Sequence, residues 1–151
     1  MTQVLVVTGS DGDWTIMDHC KGMLEQLGVT FEAVTASAHR QADKLHHAMD
    51  AFEAGGGQVY ICAAGMAAHL AGVVASRTIL PVLAVPIASG GLGGMDALLS
   101  MVQMPRGVPV GTLAIGKHGA INAAILSAQI LALGDEDLAG RLKAYKASLA
   151  G

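Results

Sequence analysis

Aromatic side chains are nearly missing from this chain, which has one tryptophan, two tyrosines and two phenylalanines in 151 residues. Its apolar mass is therefore Ala, Val, Leu, Ile and Met. Charge is scarce too, at 14% of residues, with a net charge of −3 and no basic cluster, which argues against nucleic acid as a partner. The two cysteines, Cys20 and Cys62, form no CxxC pair, so a reduced, cytoplasmic setting is expected. No apolar run approaches the length of a membrane helix, and Met1-Thr2-Gln3 lacks a basic signal-peptide start. Nor is there a linker, an internal repeat or a low-complexity segment, so residues 1–151 read as a single domain. Against these absences stands a hydrophobic content of 52%, high for a soluble monomer, which predicts a homo-oligomer.

What is present alternates between two periods. Val4 to Val7, Phe31 to Ala36, Val59 to Ala63, Pro81 to Pro86 and Val110 to Ile115 read as short buried strands. Between them lie helical patterns. Trp14, Met17, Leu24 and Leu27 precede Gly28, and Leu45, Ala48, Met49 and Phe52 precede Gly55-Gly56-Gly57. Small-residue helices are expected over about 67–77 and 119–133. A last helix over about 135–149 begins with acidic residues and ends with Lys143 and Lys146, matching the helix dipole. Strands alternating with helices imply a parallel sheet covered on both faces, a doubly wound α/β layer fold.

In such folds ligands sit beyond the carboxyl ends of the strands. Every expected strand is followed there by a polar or glycine-rich loop: Gly9 to Asp13, Ser37 to Arg40, Ala64 to His69, Ser89 to Gly94 and Gly116 to His118. Together these predict one cleft. Glycine-rich turns leading into helices suit an anion such as phosphate. Ser37-Ala38-His39-Arg40 is the densest of them: Arg40 offers a fork of donors to phosphate oxygens, Ser37 a small donor beside it, and His39 an imidazole able to give and take a proton. His69 stands between catalysis and shaping the pocket. Asp13 reads either as a cap for the first helix or as an acceptor for ribose hydroxyls, and Ser10 divides between turn and ligand roles. His19, His46 and His47 fall within helices and are expected to face solvent or a neighbour.

Four other patterns lead nowhere. Gly111 to Lys117 fits GxxxxGK, but Thr112-Leu113-Ala114-Ile115 is an apolar strand and His118 replaces the Ser or Thr. No GxGxxG follows the first strand, and no histidine pair at metal-ligand spacing accompanies a carboxylate. Met66, Met95, Met101 and Met104 read as core or interface filler.

Gly9-Ser10-x-x-Asp13-Trp14-x-x-Met17, Ser37-Ala38-His39-Arg40, Ala67-Ala68-His69-Leu70, Ser100-Met101-Val102-Gln103-Met104-Pro105 and Gly111 to Gly116 together resemble the PurE family. These are the N5-carboxyaminoimidazole ribonucleotide mutases of purine biosynthesis, and the likeness is collinear over nearly the whole chain. His69-Leu70 resembles the bacterial mutase class. The resemblance implies a flavodoxin-like three-layer α/β/α domain, with a five-stranded parallel sheet and an additional C-terminal helix that packs on a neighbouring subunit. It also implies a homo-octamer working without cofactor or metal. It places Ser10, Asp13, Ser37 and Arg40 on the substrate's ribose and phosphate, His39 as general acid/base, and small residues Ala64, Gly65 and Ala67 around the ring and a transient CO2. The chain departs from the family pattern at Gly12, Gln41, Ala42, Ala63, Met66 and Ala71. Two further readings fit the same residues. One is a diverged paralogue that carboxylates or decarboxylates a related ribonucleotide through a Met66-lined pocket, and the other is a non-catalytic nucleotide-phosphate binding oligomer.

Overall fold

A computed structural model describes residues 1–151. Five parallel strands, β1 (Val4–Thr8), β2 (Phe31–Thr35), β3 (Val59–Gly65), β4 (Val82–Ile87) and β5 (Gly111–Thr112), form one sheet in the order β2-β1-β3-β4-β5. Helices α1 (Trp14–Gln26), α2 (Ala42–Ala54), α3 (Leu70–Ala75), α4 (Met95–Val102), α5 (Lys117–Leu131) and α6 (Glu136–Leu149) connect or follow them. This is the expected flavodoxin-like layout.

Strand alternation divides the core in two. Val4, Val6, Val59, Ile61, Ala63, Leu83 and Val85 face α1, α5 and α6, where Met17, Cys20, Leu24, Ala124, Ala128, Leu138 and Leu142 close over them. Leu5, Val7, Tyr60, Cys62 and Ala84 point the other way, against Leu45, Met49 and Phe52 of α2, Leu70 and Val74 of α3, and Ala97 and Met101 of α4. With both faces covered, the central strands need no polar side, which is why β1, β3 and β4 are continuous apolar runs. No helix is long and apolar enough to cross a membrane.

The polar accounting differs from expectation at three elements. α4 has no counterpart in the sequence pattern, because it is apolar on both sides. Ala97 and Met101 are buried, while Met95, Leu99 and Val102 lie exposed on the outer face. α3 is shorter than the expected 67–77 and is preceded by irregular backbone in which Met66 has φ 55. Two residues alone pair in β5, rather than the run to Ile115. Pro86 supplies the reason. Its carbonyl accepts from Gly116 N–H at 2.9 Å, so the N–H that proline lacks would have pointed to the same neighbour, and the ladder breaks there.

α6 begins where expected. Asp135 caps it by accepting from Leu138 N–H at 3.0 Å, and Leu138 and Leu142 bury its inner face in this chain's own core. Arg141 Nε donates to Leu27 O at 2.7 Å, tying α6 to the end of α1. There Gly28 turns the chain with φ +69.

Candidate active site

The switch in strand order lies at β1 and β3. From β1 the chain leaves to one face of the sheet through α1, and from β3 to the other through α3, so the loops part and open a crevice. A cleft of about 350 Å³ occupies it. Gly9, Ser10, Asp13, Ser37, Ala38, His39, Arg40, Ala64, Gly65, Met66, Ala67, His69, Leu70 and Ser89 line it. All nine residues singled out from the sequence (Ser10, Asp13, Ser37, His39, Arg40, Ala64, Gly65, Ala67 and His69) face this one cavity. Gly116-Lys117-His118 does not reach it, so four loops form the rim rather than five.

Each loop is held by its own bonds. Trp14 Nε1 donates to Thr35 Oγ1 at 2.8 Å, fixing the end of β2 against the start of α1. Beyond β2, Gln41 N–H donates to Ser37 O at 2.8 Å and the Gln41 side-chain oxygen accepts from Ser37 N–H at 3.2 Å. Ser37 Oγ accepts from Arg40 N–H at 3.2 Å, which leaves its hydroxyl hydrogen free for a ligand. The tetrapeptide is thus a closed turn that presents His39 and Arg40 outward, both exposed. From the next loop, His69 Nδ1 comes within 2.8 Å of His39 Nε2, with the rings at 89°. Two histidines 30 residues apart share a hydrogen bond at the cleft.

Asp13 does not cap α1. Its carboxylate turns back and accepts from Ser10 N–H at 3.1 Å, closing the loop after β1. Asp13 is buried, and that burial raises its pKa above the ordinary value of 3.8, against the lowering effect of bonds from Ser10 and Gly9. Ser10 therefore serves the turn through both its backbone N–H and its side chain, which forms a capping box with Asp13.

Some lining residues had no prominence in the sequence. Ser89 fits flush against Gly65, where any Cβ would strike its Oγ, so the loops after β3 and β4 are seated on one another. Lys44 opens onto an adjoining polar hollow shared by Gly9, Ser10 and Arg40. Its place in the first turn of α2, just after Arg40 and Gln41, was the available signal. Met66 is no core filler: it is 57% exposed at the cleft. Met101 alone of the four methionines is fully buried.

A larger hollow of about 700 Å³ lies at the opposite edge of the sheet, among Gln3, Gln58, Pro81 and Asp135 to Asp137. Its charged residues are all acidic, which disfavours an anion. No three His, Cys, Asp or Glu side chains converge as a metal-binding set. The cleft instead joins a cation, hydroxyl and backbone donors at one end to two imidazoles and small apolar residues at the other. That arrangement can hold a phosphorylated small molecule and move a proton at its far end.

A family model described as AIR carboxylase matches residues 3–151. The chain is 51% identical over 143 residues to the N5-carboxyaminoimidazole ribonucleotide mutase of Brucella melitensis, covering 95% of this chain and 88% of that protein. To the Escherichia coli K12 mutase it is 50% identical over 144 residues, covering 95% and 85%. To that of Bacillus subtilis it is 49% identical over 137 residues, covering 91% and 85%. The crystal structure of Treponema denticola PurE superposes with a TM-score of 0.90 at 27% identity, covering 99% of this chain and 92% of that one.

Proposed function

This chain belongs to the AIR carboxylase family, and from that membership we propose that it is an N5-carboxyaminoimidazole ribonucleotide mutase of purine biosynthesis. The reaction moves a carboxylate from the exocyclic nitrogen of an aminoimidazole ribonucleotide to the adjacent ring carbon. The observation that carries the reading is the meeting of His39 and His69 beside Ser37 and Arg40 in one cleft, on a chain about half identical to curated mutases.

Arg40 and the Ser37 hydroxyl grip the phosphate, with Ser10 beside them, and Asp13 accepts from the ribose hydroxyls. The imidazole ring then lies toward Ala64, Gly65 and Ala67. The carbamate N–C bond breaks with its electron pair left on nitrogen, which takes a proton from His39. The ring carbon gives an electron pair to the released CO2, forming the new C–C bond. The proton on that carbon passes back to His39, so protons balance over the cycle. Keeping CO2 beside the ring replaces an encounter between separate molecules, where effective molarities reach roughly 10⁵ M or more. His69 orients the shuttle ring through the bond at 2.8 Å.

The protein acts in the cytoplasm as a homo-oligomer, an octamer by the family's pattern. The exposed apolar face of α4 (Met95, Leu99 and Val102) and exposed Leu149 on α6 support assembly through helices.

The test is conversion of N5-carboxyaminoimidazole ribonucleotide by the purified protein, beside His39→Asn. Formation of the 4-carboxy product by wild type alone supports the reading. Tight binding without turnover supports a nucleotide-phosphate binder, and absence of both removes the mutase. Product from aminoimidazole ribonucleotide and bicarbonate at a comparable rate would instead identify a direct carboxylase.

A further inference from the structure

Met66 is the one non-glycine residue with positive φ, at 55. A left-handed conformation costs an L side chain about 1–2 kcal/mol, and such strain persists where the surroundings or the function require it. Core packing does not require it here, since the side chain is 57% exposed. It lines the cleft with His39, His69 and Ser89. It also runs along the next loop, for a methyl group on Gly90 would meet Met66 Cγ at 3.4 Å and Sδ at 3.9 Å. The thioether therefore lies across the seam between the loops after β3 and β4. Ala64, Gly65 and Ala67, none with a long side chain, lie in the same lining. A long, flexible, apolar side chain at the mouth of a cleft can exclude water from the small residues beside it.

We propose that Met66 is a retention residue, closing the cleft over the CO2 fragment between its release from nitrogen and its capture by the ring carbon. The inference rests on the mutase reading. If CO2 escapes, the nitrogen keeps the proton received from His39, His39 regains one from water, and the decarboxylated amine leaves as product. Met66 thus sets the partition between rearrangement and loss. It takes no proton and forms no bond.

Wild type, Met66→Gly, Met66→Ala and Met66→Leu are given N5-carboxyaminoimidazole ribonucleotide in buffer containing ¹³C-bicarbonate and carbonic anhydrase. Label entering the 4-carboxy product and the yield of decarboxylated amine are both measured within the first turnovers. Loss of the cover raises both about tenfold in Met66→Gly and Met66→Ala, the equivalent of about 1.4 kcal/mol at the branch, while Met66→Leu stays near wild type. Thermal unfolding separates cover from strain: Met66→Gly melts higher than wild type because glycine accepts φ 55, and Met66→Ala does not. Unchanged label and amine in folded Met66→Gly and Met66→Ala, with wild type converting normally, overturns the retention role alone. Wild type that makes no 4-carboxy product overturns the mutase reading, and retention with it.

Discussion

His39 Nε2 and His69 Nδ1, 2.8 Å apart on two different loops, share a single hydrogen. Whichever nitrogen holds it, the other must present a lone pair, so the tautomers of the two rings are locked together. A proton arriving at the far nitrogen of one ring therefore changes what the far nitrogen of the other can offer. The pair is a unit that neither loop could make alone.

On the proposed mechanism, replacing His39 by Asn removes the shuttle and leaves the phosphate grip. Turnover should fall roughly a hundredfold to ten-thousandfold, with dissociation of the ribonucleotide nearly unchanged by calorimetry. His69→Asn should lower kcat less, since the shuttle ring remains and loses only the partner that orients it and fixes its tautomer. Weakened binding in His39→Asn, matching the loss of rate, would mean that His39 holds the ligand rather than the proton.

Arg40→Ala should raise KM about 10–100-fold, the loss expected for a hydrogen bond to a charged group. Arg40→Lys should restore only part of it, because an ammonium cannot present two parallel donors. Steady-state kinetics at two salt concentrations decides this; a kcat effect without a KM effect would count against a phosphate grip.

Asp13 gives a pH-dependent stability. Its pKa is raised in the fold by burial, so the folded chain holds this proton more tightly than the unfolded chain does. That contribution is fully present below the unfolded pKa of about 3.8 and is lost as pH rises through the raised value. Asp13→Asn has no such loss and still offers an oxygen to Ser10 N–H. It should therefore melt higher than wild type near pH 7, with the gap closing toward about pH 3. A constant gap across pH would show that ionisation of Asp13 is not its source. The same variant should bind ribonucleotide more weakly, having lost a charged acceptor.

Gly28→Ala tests the anchoring of α6. The added Cβ would take φ +69 and stand 3.3 Å from Arg141 Nε, the group that donates to Leu27 O. The left-handed conformation alone should cost about 1–2 kcal/mol, a fall of several degrees in Tm. Arg141→Ala should cost less, and the double variant less than the sum, because the second change removes the obstacle met by the first.

The sheet was legible because its inner strands are covered on both faces and so appear as unbroken apolar runs. The rim was legible because glycine, serine and histidine interrupt those runs at their carboxyl ends. α4 was not, since Met95, Leu99 and Val102 outside match Ala97 and Met101 inside and leave no periodicity to see. The length of β5 was hidden because its limit lies in another strand, at Pro86. Asp13 showed the same difficulty at the site: local sequence left it between a cap for α1 and a ribose acceptor, and its carboxylate instead closes a capping box with Ser10 in the short turn before α1.

Pro86 also shapes the free edge of the sheet. By breaking the ladder after Thr112 it leaves β5 with two paired residues, too short and irregular at that edge to template another chain's strand. A continuous β5 would have offered a row of open N–H and C=O groups, inviting end-on stacking of sheets. The interruption blunts that route to fibres in a chain rich in apolar residues.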